Sequence, residues 1–140
     1  MNAQLFRTRV AVLWVAVAVA LSYSVLIYLL GPGALEEALA GEMEGDPLDE
    51  SLGFLLSVLA GIPLVMAAAT LLVGDRVNRY VNLIAGLLFG LLVAYAMIGE
   101  LLAGAFNGHL LLVALGCSLA FLIAVLGLVG LRQPPSEARP

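Results

Sequence analysis

The chain contains no lysine, one cysteine and one histidine, and only 11% of its 140 residues are charged. With no second cysteine, Cys117 supports neither an internal disulfide nor a cysteine-built metal set. A lone histidine, His109, is a poor basis for a zinc site, which draws several nitrogen or sulfur ligands. Soluble domains carry about 25% charged residues, so this chain cannot clothe a water-facing surface. No Asp, Glu, Lys, Arg or His occupies the central part of any long apolar run. Ion pathways and proton relays mark themselves with such residues, so a pump or a carrier of charged substrates is disfavoured. No Gly-rich phosphate loop, Ser-His-Asp set or haem-type histidine pair is visible. No basic cluster sits in a soluble segment, and nucleic-acid binding has no support. No cofactor is implied.

Against these absences stand four apolar runs: Val10–Leu30, Leu52–Val73, Val81–Gly99 and Leu110–Leu131. Each approaches the ~20 residues that cross a ~30 Å hydrocarbon core as a helix. Backbone amides in lipid must pair within their own segment, so helix is the default. The expected fold is all-α: one domain over residues 1–140, a transmembrane four-helix bundle of antiparallel up-down topology. An acidic outer loop spans residues 31–51, and a flexible tail spans 133–140.

The net charge of −4 is segregated rather than spread. All six basic residues are arginines: Arg7 and Arg9 before the first run, Arg76 and Arg79 between the second and third, Arg132 and Arg139 after the fourth. Four passes place these segments on one side, which the positive-inside rule makes cytoplasmic. That predicts an inner-membrane protein with both termini inside. Seven of the ten acids fall between Glu36 and Glu50, in the first outer connection. Trp14, Tyr28 and Tyr80 fall near the expected interfaces, as aromatic belts do. The basic, then apolar, start also fits a signal peptide, but the run continues through Tyr23 to Leu30, longer than a usual h-region.

Within the outer loop, Leu35, Leu39 and Met43 recur every four residues. They predict a short helix on the membrane surface, with Pro32 in its first turn.

The turn "GDRVNRYVN", residues 74–82, concentrates polarity between two apolar runs. Gly74 suits a helix C-cap, and Asp75 or Asn78 can cap the helix that follows. Arg76 and Arg79 would sit at that helix's positive end, where the macrodipole disfavours them. Arg76, Asn78 and Arg79 are therefore expected to act as topology anchors or lipid-headgroup contacts.

Asn82, Gly86, Gly90 and Ala94 share one helical face, and Gly86 to Gly90 is a G-x-x-x-G pattern that permits close helix approach. Similar small-residue stripes run along the other helices: Ala16, Ala20 and Ser24; Gly53, Ser57 and Gly61; Gly116, Ala120 and Ala124. The third helix's stripe can serve packing within the chain or against a second copy.

With these residues in place, the chain resembles small bacterial four-pass membrane proteins described only as a domain of unknown function. The resemblance rests on Trp14, "GPGALEE" at Gly31–Glu37, "GIPLVM" at Gly61–Met66 and "DRVNRYVNLIAG" at Asp75–Gly86. It covers roughly the first two thirds of the chain. The family pattern carries an acid before the Ile-Pro pair, where this chain has Gly61. A role that needs an intramembrane carboxylate does not carry over, and the resemblance implies no activity.

Three functional readings follow. The first is a non-enzymatic structural, accessory or interaction component, with membrane lipids, a second copy or another membrane protein as partner. The second is an oligomeric small-molecule transporter or lipid-binding module. Its pocket would lie near Pro63, which kinks its helix, and a polar patch of Tyr23, Ser24 and Tyr95. The third is an enzyme at the outer face, which needs Glu100 and His109 within reach of each other, with Asp46 or Asp49 as candidate metal partners.

Overall fold

The computed structural model describes residues 3–43, 46–47, 50–102, 104 and 108–132. The tail 133–140, Asp49 and Arg139 lie outside the described residues. Five helices are described: α1 Ala3–Leu29, α2 Ala34–Ala40, α3 Glu50–Leu72, α4 Asp75–Leu102 and α5 Gly108–Arg132. A two-residue antiparallel pair, β1 Glu42–Met43 and β2 Asp46–Pro47, links α2 to α3. Helices α1, α4 and α5 are each long and apolar enough to cross a membrane, and the described part of α3 contributes a shorter apolar stretch, Ser57–Leu72.

The long helices start earlier than the apolar runs. Helix α1 begins at Ala3 and α4 at Asp75, so Arg7, Arg9, Arg76 and Arg79 all lie on helices. At 1.5 Å per residue, Trp14 is about 16 Å along α1, and its indole is enclosed by the protein. It is 0% exposed. Helix α2 also differs from expectation. It stops at Ala40, where Gly41 takes the left-handed conformation (φ 84) that ends helices without a Cβ penalty. Met43 therefore falls in β1, off the stripe that carries Leu35 and Leu39.

Helix α5 is the centre of the packing, lying against both α1 and α4, while α3 packs mainly on α1. The core collects Phe6, Val10, Trp14 and Val17 of α1, Phe89 and Val93 of α4, and Cys117, Ala120 and Ile123 of α5. In each helix these recur every three or four residues, one face of a 3.6-residue period.

Small residues set the α4–α5 distance. A Cβ on Gly86 would lie 2.8 Å from the Ala120 carbonyl oxygen and 2.9 Å from the Ala124 nitrogen. On Gly127 it would lie 2.9 Å from the Arg79 carbonyl oxygen and from the Leu83 nitrogen. The Asn82–Gly86–Gly90 face thus packs inside the chain against α5, with Ala94 partly buried at the same core. The Cys117 thiol, 3.4 Å from the Gly90 carbonyl, uses the same close approach. Rising numbers on α4 meet falling numbers on α5, so the two helices run in opposite directions.

Candidate functional site: the polar start of α4

The first two turns of α4 contact every other long helix through polar side chains. Asp75 accepts the Arg7 guanidinium of α1, with Nε at 2.7 Å and a second nitrogen at 2.5 Å. Seven residues further along both helices, Trp14 Nε1 donates to Asn82 Oδ1 at 2.6 Å. Both pairs are separated by 68 positions. Two turns on α1 therefore match two turns on α4, and the helices run in the same direction at this end.

Asn78 points inward and caps a neighbour rather than its own helix. Its Nδ2 donates to the Thr70 carbonyl at 2.9 Å, in the last turn of α3. Carbonyls in a last turn lack helical partners, so this bond satisfies an orphaned acceptor. Arg79 does the same for α5: its guanidinium donates to the Gly130 carbonyl. It also lies 5.4 Å from the centre of the Phe6 ring of α1. The macrodipole penalty for Arg79 at the start of α4 is thus offset by the negative end of α5, where a cation is favoured. Arg76 faces outward and is exposed, as is Arg132.

Asn82 completes the seam. Its Nδ2 donates to the Asn78 carbonyl at 2.8 Å and to Asn78 Oδ1 at 2.6 Å. The Thr70 hydroxyl lies 2.7 Å from the Met66 carbonyl and 3.1 Å from Asn82 Oδ1, so its hydrogen can be shared. The network fixes the amide's orientation, because a flipped Asn82 would turn its NH2 toward the indole N–H. Thr70, Asn78 and Asn82 are buried, and among the described residues no buried side-chain nitrogen or oxygen lacks a partner. The Trp14 indole packs edge-on against Phe89, with centroids 6.0 Å apart.

A second polar junction lies at the opposite end. His109, at the start of α5, places Nδ1 2.9 Å from the Ser24 carbonyl and Nε2 3.1 Å from Glu100 Oε1. Tyr28 meets the imidazole edge-on at 5.8 Å between centroids. A groove of about 470 Å³ opens alongside, lined by Ile27, Tyr28, Gly31, Pro32, Glu37 and His109 among others.

The residues expected to form a pocket are placed separately. Pro63 is buried within α3. The Ser24 hydroxyl donates to the Leu21 carbonyl of its own helix at 2.7 Å, not to a tyrosine. Tyr23 and Tyr95 face outward, 57% and 80% exposed. Glu100 and His109 are within reach of each other, as an outer-face enzyme would need, yet both ring nitrogens are engaged. Among the described residues no three His, Cys, Asp or Glu side chains gather as a metal set.

Sequence reasoning located Asp75, Asn78, Arg79 and Asn82 but missed their partners: Arg7 for Asp75, Thr70 for Asn78, Gly130 and Phe6 for Arg79, and Trp14 for Asn82. The one readable signal was the shared 68-residue offset of two polar pairs on helices not adjacent in sequence.

A family model described as "Family of unknown function (DUF6326)" matches residues 4–125, and the chain belongs to that family. No curated protein and no solved structure is significantly similar to it.

Proposed function

We propose that this family member is a four-span membrane protein, a non-enzymatic structural or accessory component of a bacterial inner membrane, with both termini in the cytoplasm. The observation that carries this reading is its inverted distribution of polarity. Large apolar side chains such as Val12, Val19, Leu88, Leu91, Leu111 and Leu122 are exposed along α1, α4 and α5, whereas the amides of Asn78 and Asn82 are buried. In lipid such a surface carries no penalty, while buried amides must be paired internally. Helix α3 supplies the fourth span: its 23 residues reach about 34 Å, enough for a ~30 Å core. A chain that crosses four times puts the exposed Arg76 and Arg132 beside phosphate headgroups on one face, where each adds about 1 kcal/mol of attraction to anionic lipid.

The polar start of α4 is the structural centre of this reading. Its buried side chains join helix to helix. The lipid- or small-molecule-binding alternative is served better by the groove at Tyr28 and His109 than by Pro63, which is enclosed.

Native mass spectrometry of the protein released from nanodiscs tests the reading. The expected spectrum is the bare chain, or a small oligomer, with loosely held phospholipid removed by mild activation. A stoichiometric small molecule that survives activation would favour the transporter or binding-module reading instead.

A further inference from the structure

We propose that His109, Glu100 and the Ser24 carbonyl form a proton-binding site, a clasp that holds the ends of α1, α4 and α5 together only while protonated. The argument is one of donors and acceptors. A carbonyl oxygen can only accept, so Nδ1 must carry a hydrogen to bond Ser24 at 2.9 Å. Nε2 then faces Glu100 Oε1 at 3.1 Å. If Glu100 is ionised, Nε2 must also carry a hydrogen, and His109 is an imidazolium. If His109 is neutral, Glu100 must be the protonated partner and donate to Nε2. Both arrangements hold the same number of protons, one more than neutral histidine beside ionised glutamate. When that proton leaves to water, the neutral ring keeps only one N–H and one of its two bonds is lost: the Glu100 bond if the hydrogen stays on Nδ1, the Ser24 bond if it moves to Nε2.

The surroundings make this junction an end-to-end tie. Ser24 belongs to α1, Glu100 to α4 and His109 to α5. Among the described residues, the other titratable groups facing the imidazole are Tyr28 of α1, edge-on, and Glu37 of α2, across the groove. Arg7, Arg79 and Arg132 are gathered at the other end of these helices, so among the described residues no arginine stands beside Glu100 to replace the histidine proton. His109 also forms part of the groove wall, so releasing it moves that wall. Because all three ends are tied only when the extra proton is present, closure is favoured as pH falls and opening as pH rises. The inference holds whichever compartment this end faces.

The test uses the full chain in nanodiscs, with Cys117→Ser to remove the native thiol and spin labels at Leu30→Cys and Leu102→Cys, both exposed positions. The narrow low-pH distance distribution should be lost as pH rises. In the unlabelled native chain, 15N spectra of the only histidine should show the ring losing its extra proton over the same pH interval. Glu100→Gln should abolish the opening. An amide donates to the bare Nε2 without an added proton, so that variant stays closed throughout. The proposal is overturned if the distances do not change with pH, if the ring deprotonates without a change in distance, or if Glu100→Gln opens at the wild-type pH. Should that variant not fold, coincidence of the two wild-type readouts supports the clasp and their separation overturns it.

Discussion

Asn82 uses both lone-pair directions of its oxygen and both hydrogens of its nitrogen inside the protein, on Trp14, Thr70 and Asn78. Leucine at this position would leave the Trp14 N–H and the Asn78 side-chain oxygen unpaired in a dry interior. Asn82→Leu should therefore cost about 1–3 kcal/mol, read from reversible unfolding in mixed micelles followed by helical circular dichroism. Trp14→Phe removes one donor and should cost less. The two changes act on one bond, so the double variant should fall short of the sum by about 0.5–2 kcal/mol. Strict additivity would show that the indole–amide pair contributes nothing. Arg79 and Arg76 make a second contrast. Arg79→Ala removes the cap on Gly130 and the contact with Phe6, and should cost about 1 kcal/mol in the same assay. Exposed Arg76→Ala should stay within about 0.5 kcal/mol.

At the scale of elements, the glycines divide by what stands opposite them. Gly86 meets the backbone of α5, whereas an added Cβ on Gly61 would meet nothing within 4 Å. Backbone cannot step aside as a side-chain tip can. Gly86→Ala should separate α4 from α5 at a cost of about 1–3 kcal/mol, and Gly61→Ala should stay within about 0.5 kcal/mol. Opposite signs of that difference in the unfolding assay would contradict the packing. These elements also show what could be read beforehand. The apolar runs and the Asn82–Gly86–Gly90 face are local periodicities, visible in any window of the chain. That the Trp14 indole is enclosed by the protein was not readable, because a single aromatic near the start of an apolar run does not show which face it takes. Its pairing with Asn82 depends on how α1 and α4 rotate against each other across α5, and no local pattern encodes that. Glu100 and His109 flank a short connection, so their meeting was readable. The Ser24 acceptor was not, because every helical residue offers the same carbonyl.

At the scale of the molecule, polar joints lie at both ends of the long helices with an apolar core between them. The arginine end is joined by α4 reaching α1, α3 and α5. The histidine end is joined by α5 reaching α1 and α4. The proposed four-pass threading puts these two ends on opposite sides of the membrane. The most direct test is cysteine accessibility in intact and permeabilised cells, using a Cys117→Ser chain with one new thiol at Val77→Cys or Glu37→Cys; both sites are exposed and every arginine is kept. The account predicts that a membrane-impermeant maleimide labels position 37 in intact cells whose inner membrane is reachable from outside. It should label position 77 only after permeabilisation. Labelling of both positions from the same side would contradict it.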